Sequence, residues 1–297
     1  MATLAVGQRK AAVVASPAGH PSQQPGTLAR ALAYAVLVAM AMLMFVPFLW
    51  SVSTSLKTNP EAARYPPTLW PAYPTLDAYR KVMAGAPFAR WFGNSALVAA
   101  AVVVCRAVFD TTAGYAFARL RFPGRDALFT VVLSTMMVST TVLIVPRYVV
   151  VLSLGLVNTL NAMWIPMAAD AFGIFLMRQF FQSFPSELED AARIDGASRL
   201  QMFWYVVVPN ATPALAALSI FAFQGSWNDF IDALIFISGS NRTSFTLPLG
   251  LAQFQNFYYT DWPVVMAGAV LTTVPVAVLY VFFQRYWVQG VMHTGFK

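Results

Sequence analysis

The sequence predicts an all-α fold: a polytopic membrane protein that crosses the bilayer six times. Three observations predict it. Of 297 residues, 58% are hydrophobic and only 10% charged, whereas a soluble domain carries about 25% charged residues on its surface. The apolar residues gather in runs of about 20, the length that carries a helix across the hydrocarbon core. The Lys and Arg residues behind the net charge of +7 are scattered between those runs, which suits bilayer topology and not a nucleic-acid patch. An ordinary soluble protein and a nucleic-acid binder are therefore excluded. Cys105 is the single cysteine, so no internal disulfide exists, and His20 and His293 in opposite tails leave no Cys/His metal site.

Residues 1–28 mix Gly, Pro, Gln, Ser and Ala, and Ala11 to Ala15 is too short for a signal-peptide core, so a disordered cytoplasmic tail is expected there. The membrane domain is then 29–297. Its spans are expected at about 31–52, 95–118, 127–146, 161–181, 212–230 and 264–283, each bounded by charged or turn residues. Pro47 near the end of the first is tolerable if neighbours satisfy the freed carbonyl. The stretch 58–93 reads as a small folded external loop with one amphipathic helix starting near Thr75 or Asp77, and 148–159 as an interfacial segment. With both termini inside, eleven Lys and Arg are cytoplasmic and seven external, with Arg106 in the membrane. Arg119, Arg121 and Arg125, clustered in one short loop, carry most of that signal.

The longest cytoplasmic connection, 182–211, has unusually complete helix punctuation. Ser186 with Glu189 forms one capping box and Ser198 with Gln201 a second, Gly196 supplies a left-handed stop between them, and Pro209 closes the second helix. A helix–turn–helix is expected.

The strings in and around this loop resemble a known family, the permease subunits of type I ATP-binding-cassette (ABC) importers, and within it the carbohydrate-uptake group of maltose-type inner-membrane subunits. The family's loop signature is Glu-Ala-Ala, three residues, Gly, nine residues, then Ile, any residue, Leu, Pro. Here it reads Asp190, Ala191, Ala192, then Gly196, then Val206, Val208 and Pro209, and Glu189 is available to compensate for the shorter Asp190. SLKT (55–58), PPTLWP, RWFGNS (90–95), YAFARLRFPGR (115–125), RIDGAS, WNDF (227–230), TLPLGL (246–251) and FFQRYWVQG (282–290) fall where the sugar-type permeases carry similar strings. Together they cover nearly all of the chain after the tail.

The resemblance implies the type I ABC importer permease fold and no enzyme activity. It implies partners: a second homologous permease subunit, two ATPase subunits gripping the 182–211 loop through Glu189, Asp190, Ala191, Ala192, Gly196 and Pro209, and an external solute-binding protein. It implies no cofactor in this chain, with ATP and Mg held by the ATPases. The residues agree, because none of Lys10, Lys57, Lys81 and Lys297 follows a glycine as a phosphate-binding loop requires. Stretch 238–262 is where related permeases meet the binding protein, or else an ordinary connection. The C-terminal GVMHTGFK resembles a tail that approaches the ATPases, although His293 and Phe296 depart from its small residues.

Two further groups stand out. Gln224, Asn228 and Asp232 are spaced i, i+4, i+8 and share one face if the fifth span is one helix, with Trp227, Asp229 and Phe230 beside them. Such a stripe suits a sugar path. Alternatively Asn228 and Asp229 only cap the helix or meet a partner helix. Arg106, with Asp110 four residues on, and Asp170 midway along the fourth span are costly in lipid and should face the bundle interior. Either Arg106 pairs with Asp110 or Asp170 to hold helices, or it attracts an anionic ligand such as glycerol phosphate. An ion-coupled secondary transporter would use these charges as a relay but leaves the capped loop without a purpose. An intramembrane enzyme lacks HExxH, GxSxG and any histidine within a span.

Overall fold

The computed structural model describes residues 27–85, 87–237, 242–255 and 260–295, with 283–295 described by backbone alone. Expectations for the tail, for His20 and for the side chains of the C-terminal segment lie outside these residues. Helix α1 (Thr27–Ser55) starts inside the expected tail and carries Pro47. Among the described residues, those up to Pro47 belong to one unit and those from Phe48 to a second, compact one.

After α1, a short α2 (Asn59–Ala62) and α3 (Asp77–Gly85) fold the connecting stretch. Helix α3 starts at Asp77, one of the two starts expected, and Thr75 Oγ1 accepts the Asp77 N–H at 3.1 Å. Helix α4 (Phe88–Arg119) is the spine, long and apolar enough to cross a membrane, as is α15 (Trp262–Gly295) over 262–282.

The third and fourth apolar runs are not single helices. The third, expected over 127–146, is helical only to Thr135 in α5 (Arg125–Thr135); turns follow over 136–143, and α6 (Ile144–Ser153) joins the end of that run to most of the stretch read as interfacial. Pro146 supplies the reason. A proline inside a continuous helix lacks an N–H and collides with the carbonyl four residues back, whereas in the first turn of a new helix its missing N–H costs nothing. The fourth run is divided into α7 (Asn161–Trp164), a 3₁₀ turn (Ile165–Met167) containing Pro166, and α8 (Ala171–Ser183). Asp170 is therefore not a mid-helix charge. It is the extended N-cap of α8, its carboxylate accepting the Gly173 N–H at 3.4 Å.

The loop contains α9 (Ser186–Ile194), α10 (Arg199–Met202), a π-helical turn (Phe203–Val207) and α11 (Val208–Asn210), and α12 (Thr212–Trp227) follows with a 77° bend. Pro209 does not close the second helix. The π turn ahead of it widens the backbone where its N–H is missing, and the chain stays helical to Asn210. The fifth run breaks at residues 228–230 before α13 (Ile231–Phe236), and α14 (Leu247–Ala252) precedes α15.

Two apolar cores form along α4. One gathers Tyr115, Met177, Phe181, Met202, Phe203 and Val207 under the loop. The other gathers Trp91, Val98, Met163, Phe236, Leu247 and Leu249 at the opposite end. Close packing depends on glycines: a Cβ at Gly114 would lie 2.6 Å from Met177 Cβ, and one at Gly250 2.1 Å from the Trp91 ring. Lipid tails compete equally for apolar surface, so this small-residue approach, not burial alone, holds such helices together.

Candidate functional site: the loop and the cleft

The loop is built on the last turn of α4. Arg119 Nε lies 3.1 Å from Glu189 Oε1, and the same guanidinium donates to the Phe184 carbonyl. Tyr115 stacks edge-on against Phe181 with centroids 5.6 Å apart and lies 5.0 Å from the Phe203 ring. Glu189, Ala192, Met202, Phe203 and Val207 thus face inward and are buried. The opposite face is open: Asp190, Ala191 and Gly196 are exposed, and Leu188, Ile194, Leu200 and Tyr205 present large apolar surface, Ile194 being 86% exposed.

Its punctuation is read correctly at one helix and differently at the other. Ser198 and Gln201 form the reciprocal capping box, with Ser198 N to Gln201 Oε1 at 2.9 Å and Gln201 N to Ser198 Oγ at 3.3 Å. Gly196 has φ +82, the left-handed stop. Ser186, however, is the first helical residue after an N-cap at Pro185, and Glu189 turns to Arg119 instead of back to the helix start. Glu189 therefore cannot stand in for Asp190, whose carboxylate faces out and pairs with Arg193 at 3.2 Å. Sequence reasoning used Arg119 only as a topology signal and missed it as the loop's fastening.

The expected stripe is split by the break in the fifth run. Gln224 and Asn228 are exposed, whereas Asp232 is buried and paired with Arg147 of α6. Asp229 Oδ1 accepts the Asp232 N–H at 3.2 Å, so its carboxylate serves the start of α13, whose N-cap position is Phe230, and not the end of the fifth-span helix. Trp227 is buried: it stacks on Phe223 at 5.2 Å, and its Nε1 donates to Thr272 O at 3.2 Å. Beside it opens a cleft of about 330 Å3 lined by Trp227, Asn228, Leu247, Leu251, Thr272 and Thr273 among others. Both threonine hydroxyls donate to Ala269 O at 2.8 Å and keep their lone pairs for an incoming donor. Arg147 and the Thr272–Thr273 pair were missed, although two adjacent hydroxyls in an apolar run are a visible signal. A larger depression of about 400 Å3 lies at the surface turn of Arg121, Phe122, Gly124 and Arg125, with charged side chains in place of the cleft's hydroxyls.

The wall of the cleft is positioned from α4. Asn94 Nδ2 donates to Thr243 O and Phe245 O, both at 2.8 Å, and Ser95 Oγ accepts the Leu247 N–H at 2.8 Å. The RWFGNS and TLPLGL strings thus pack on one another.

Of the intramembrane charges, Arg106 pairs with Asp170 at 3.7 Å and donates from Nε to Met167 O at 2.9 Å. Asp110, fully buried, does not take Arg106 as its near partner; its Oδ1 accepts the Asp170 backbone N–H at 3.0 Å. No cluster of potential metal ligands occurs among the described residues.

Comparison with known proteins agrees with the fold. Residues 110–293 match the family model of binding-protein-dependent transport system inner membrane components. The arabinooligosaccharides transport system permease protein AraQ of Halalkalibacterium halodurans is 34% identical over 272 residues, covering 90% of this chain and 97% of that protein. The sulfoquinovosyl glycerol transport system permease protein SmoH of Agrobacterium fabrum is 32% identical over 286 residues, covering 96% and 99%. Among solved structures, a bacterial ABC transporter involved in import of the acidic polysaccharide alginate superposes with a TM-score of 0.77 at 26% identity, covering 90% of this chain and 99% of that one. With well over half its length matched, the chain belongs to the family of binding-protein-dependent transport system inner membrane components, the membrane permeases of ABC importers.

Proposed function

We propose that this chain forms half of the translocation path for a neutral saccharide, beside a second homologous permease. An external binding protein delivers the sugar, and two ATPases supply the energy through the 182–211 loop. The observation that carries the coupling role is the two-faced loop. Its inner face is fastened to α4 by Arg119 and Tyr115, while Ile194, Leu200 and Tyr205 stay open. Exposed apolar surface of this kind on a rigid element marks a protein contact. In this reading α5 with α6 and α7 with α8 each make one broken crossing. That gives six crossings with both termini in the cytoplasm, and the ATPases hold ATP and Mg.

The cleft at Trp227 favours a neutral ligand. Its lining carries an amide and two hydroxyls and no charged side chain. Arg106 and Arg147, the cations that would attract a phosphorylated solute or an acidic sugar, are committed to Asp170 and Asp232. Hydroxyl groups satisfy the amide and the threonines, and an apolar sugar face suits Leu247 and Leu251.

Single cysteines in a Cys105→Ala background test this. Asn228→Cys should react with a water-soluble thiol reagent in the assembled transporter, and transport of neutral oligosaccharide should slow the reaction. Asp232→Cys and Ala222→Cys, both buried, should stay silent. An Asn228→Cys that is unreactive in every nucleotide state, or protected only by uronic-acid oligosaccharides, would sink the assignment.

A further inference from the structure

The charges of α4 and the glycines beside them have an arrangement that the proposed path does not use. Helices α4 and α8 run side by side, and their contacts recur every three or four residues from one end to the other. Arg106 and Asp110 reach Met167 and Asp170, and Gly114 abuts Met177. Tyr115 meets Phe181, and Arg119 takes Phe184 O and Glu189. The last contact is on the loop. The first lies at the break ahead of α8, about 20 Å away by the rise of a 13-residue helix.

Close glycine contacts fix the distance between two helices but leave a smooth surface along which one can slide. Directional hydrogen bonds to backbone fix register. At the break, where helical pairing is interrupted, Met167 O and Asp170 N are both taken by α4 side chains. We propose that Arg106 and Asp110 are positioning residues that pin the register of α8 on α4. Movement of the loop is then carried along the helix pair to the break instead of being absorbed by sliding. This rests on the coupling role proposed for the loop. The pin is crowded by design: Asp110 Oδ2 is buried without a hydrogen-bond partner and lies 2.0 Å from where a Cβ on Gly173 would stand.

The test uses the complete transporter, reconstituted with its partner permease, ATPases and binding protein. Its readouts are the amount of assembled complex and the sugar imported per ATP hydrolysed. Asp110→Leu removes the acceptor, Gly173→Ala displaces the carboxylate while keeping its charge, and Asp110→Asn keeps an oxygen for the Asp170 N–H. The first two should lower sugar imported per ATP by about tenfold, within the usual span of coupling between sites. Asp110→Asn should stay within about twofold of wild type. A purely structural role would lower assembly and leave the ratio in the surviving complex unchanged, and that result overturns the pin. So does an Asp110→Asn ratio as low as that of Asp110→Leu. Should Asp110→Leu fail to assemble, an assembled Gly173→Ala complex decides: a reduced ratio supports the pin and a wild-type ratio overturns it. Ile194→Asp tests the underlying reading separately, since it should abolish ATPase retention whatever Asp110 does.

Discussion

The loop end and the opposite end of the compact unit are each held by an arginine paired with a buried carboxylate, and the two pairs hold different kinds of backbone. Arg119 reaches Glu189 in α9, a nine-residue helix bounded by Gly196 and followed by the Ser198 capping box. Arg147 reaches Asp232 between α6 and α13, which both begin just after breaks and run for ten and six residues. Helices that short are unstable alone. At the loop, local punctuation sets the helices and the ion pair only seats them. At the other end the ion pair joins pieces that local sequence does not hold.

The largest expected effect follows from that contrast. Arg147→Leu leaves Asp232, with 6% of its side chain exposed, as an uncompensated buried charge, which costs about 3–5 kcal/mol. The double variant Arg147→Leu with Asp232→Leu should recover most of it. Arg119→Leu should cost less, because the Gly196 stop and the Ser198 capping box of the loop remain. Unfolding of the assembled complex in lipid measures all three. Equal losses for Arg119→Leu and Arg147→Leu would erase the distinction between the two ends.

Gly196→Val comes next and acts through backbone alone. Nothing lies within 4 Å of a Cβ built there, so space is not the issue. At φ +82 a β-branched residue is strained, by about 1–3 kcal/mol, which the joint between α9 and α10 relieves by changing shape. Uptake should fall while ATP hydrolysis persists, and Gly196→Asn, which tolerates the left-handed region, should keep most of it. Wild-type uptake with Val at 196 would mean that the joint need not be rigid.

The same contrast explains what was legible in the sequence. The family strings, the long second and sixth runs, the start of α3, Gly196 and the Ser198 box are set by a few neighbouring residues. The breaks were not legible, because hydropathy measures transfer into lipid and says nothing of where backbone groups find partners. Asp170 reads as a mid-helix charge until the break ahead of α8 makes it an N-cap whose N–H goes to Asp110, sixty positions away. The spacing of Gln224, Asn228 and Asp232 implies one face only if the helix continues, and it stops at Trp227. Proline was the usable sign: Pro146 and Pro166 both stand in the first turn of a new helical segment.

The smallest effect separates a cap from its imitation. Ser186 and Ser198 each stand three residues before a Glu or Gln and look equivalent in sequence, yet only Ser198 closes the reciprocal box. Losing a serine N-cap costs about 1 kcal/mol, so Ser198→Ala should speed amide hydrogen exchange in α10 and the π turn about fivefold, if exchange there follows local opening. Ser186→Ala should change exchange in α9 far less. There the side chain is already helical, Pro185 has no N–H to satisfy, and Glu189 is held by Arg119. Equal acceleration in both segments would mean that Ser186 caps α9 in the membrane, and the Arg119 contact would then have to alternate with a second box.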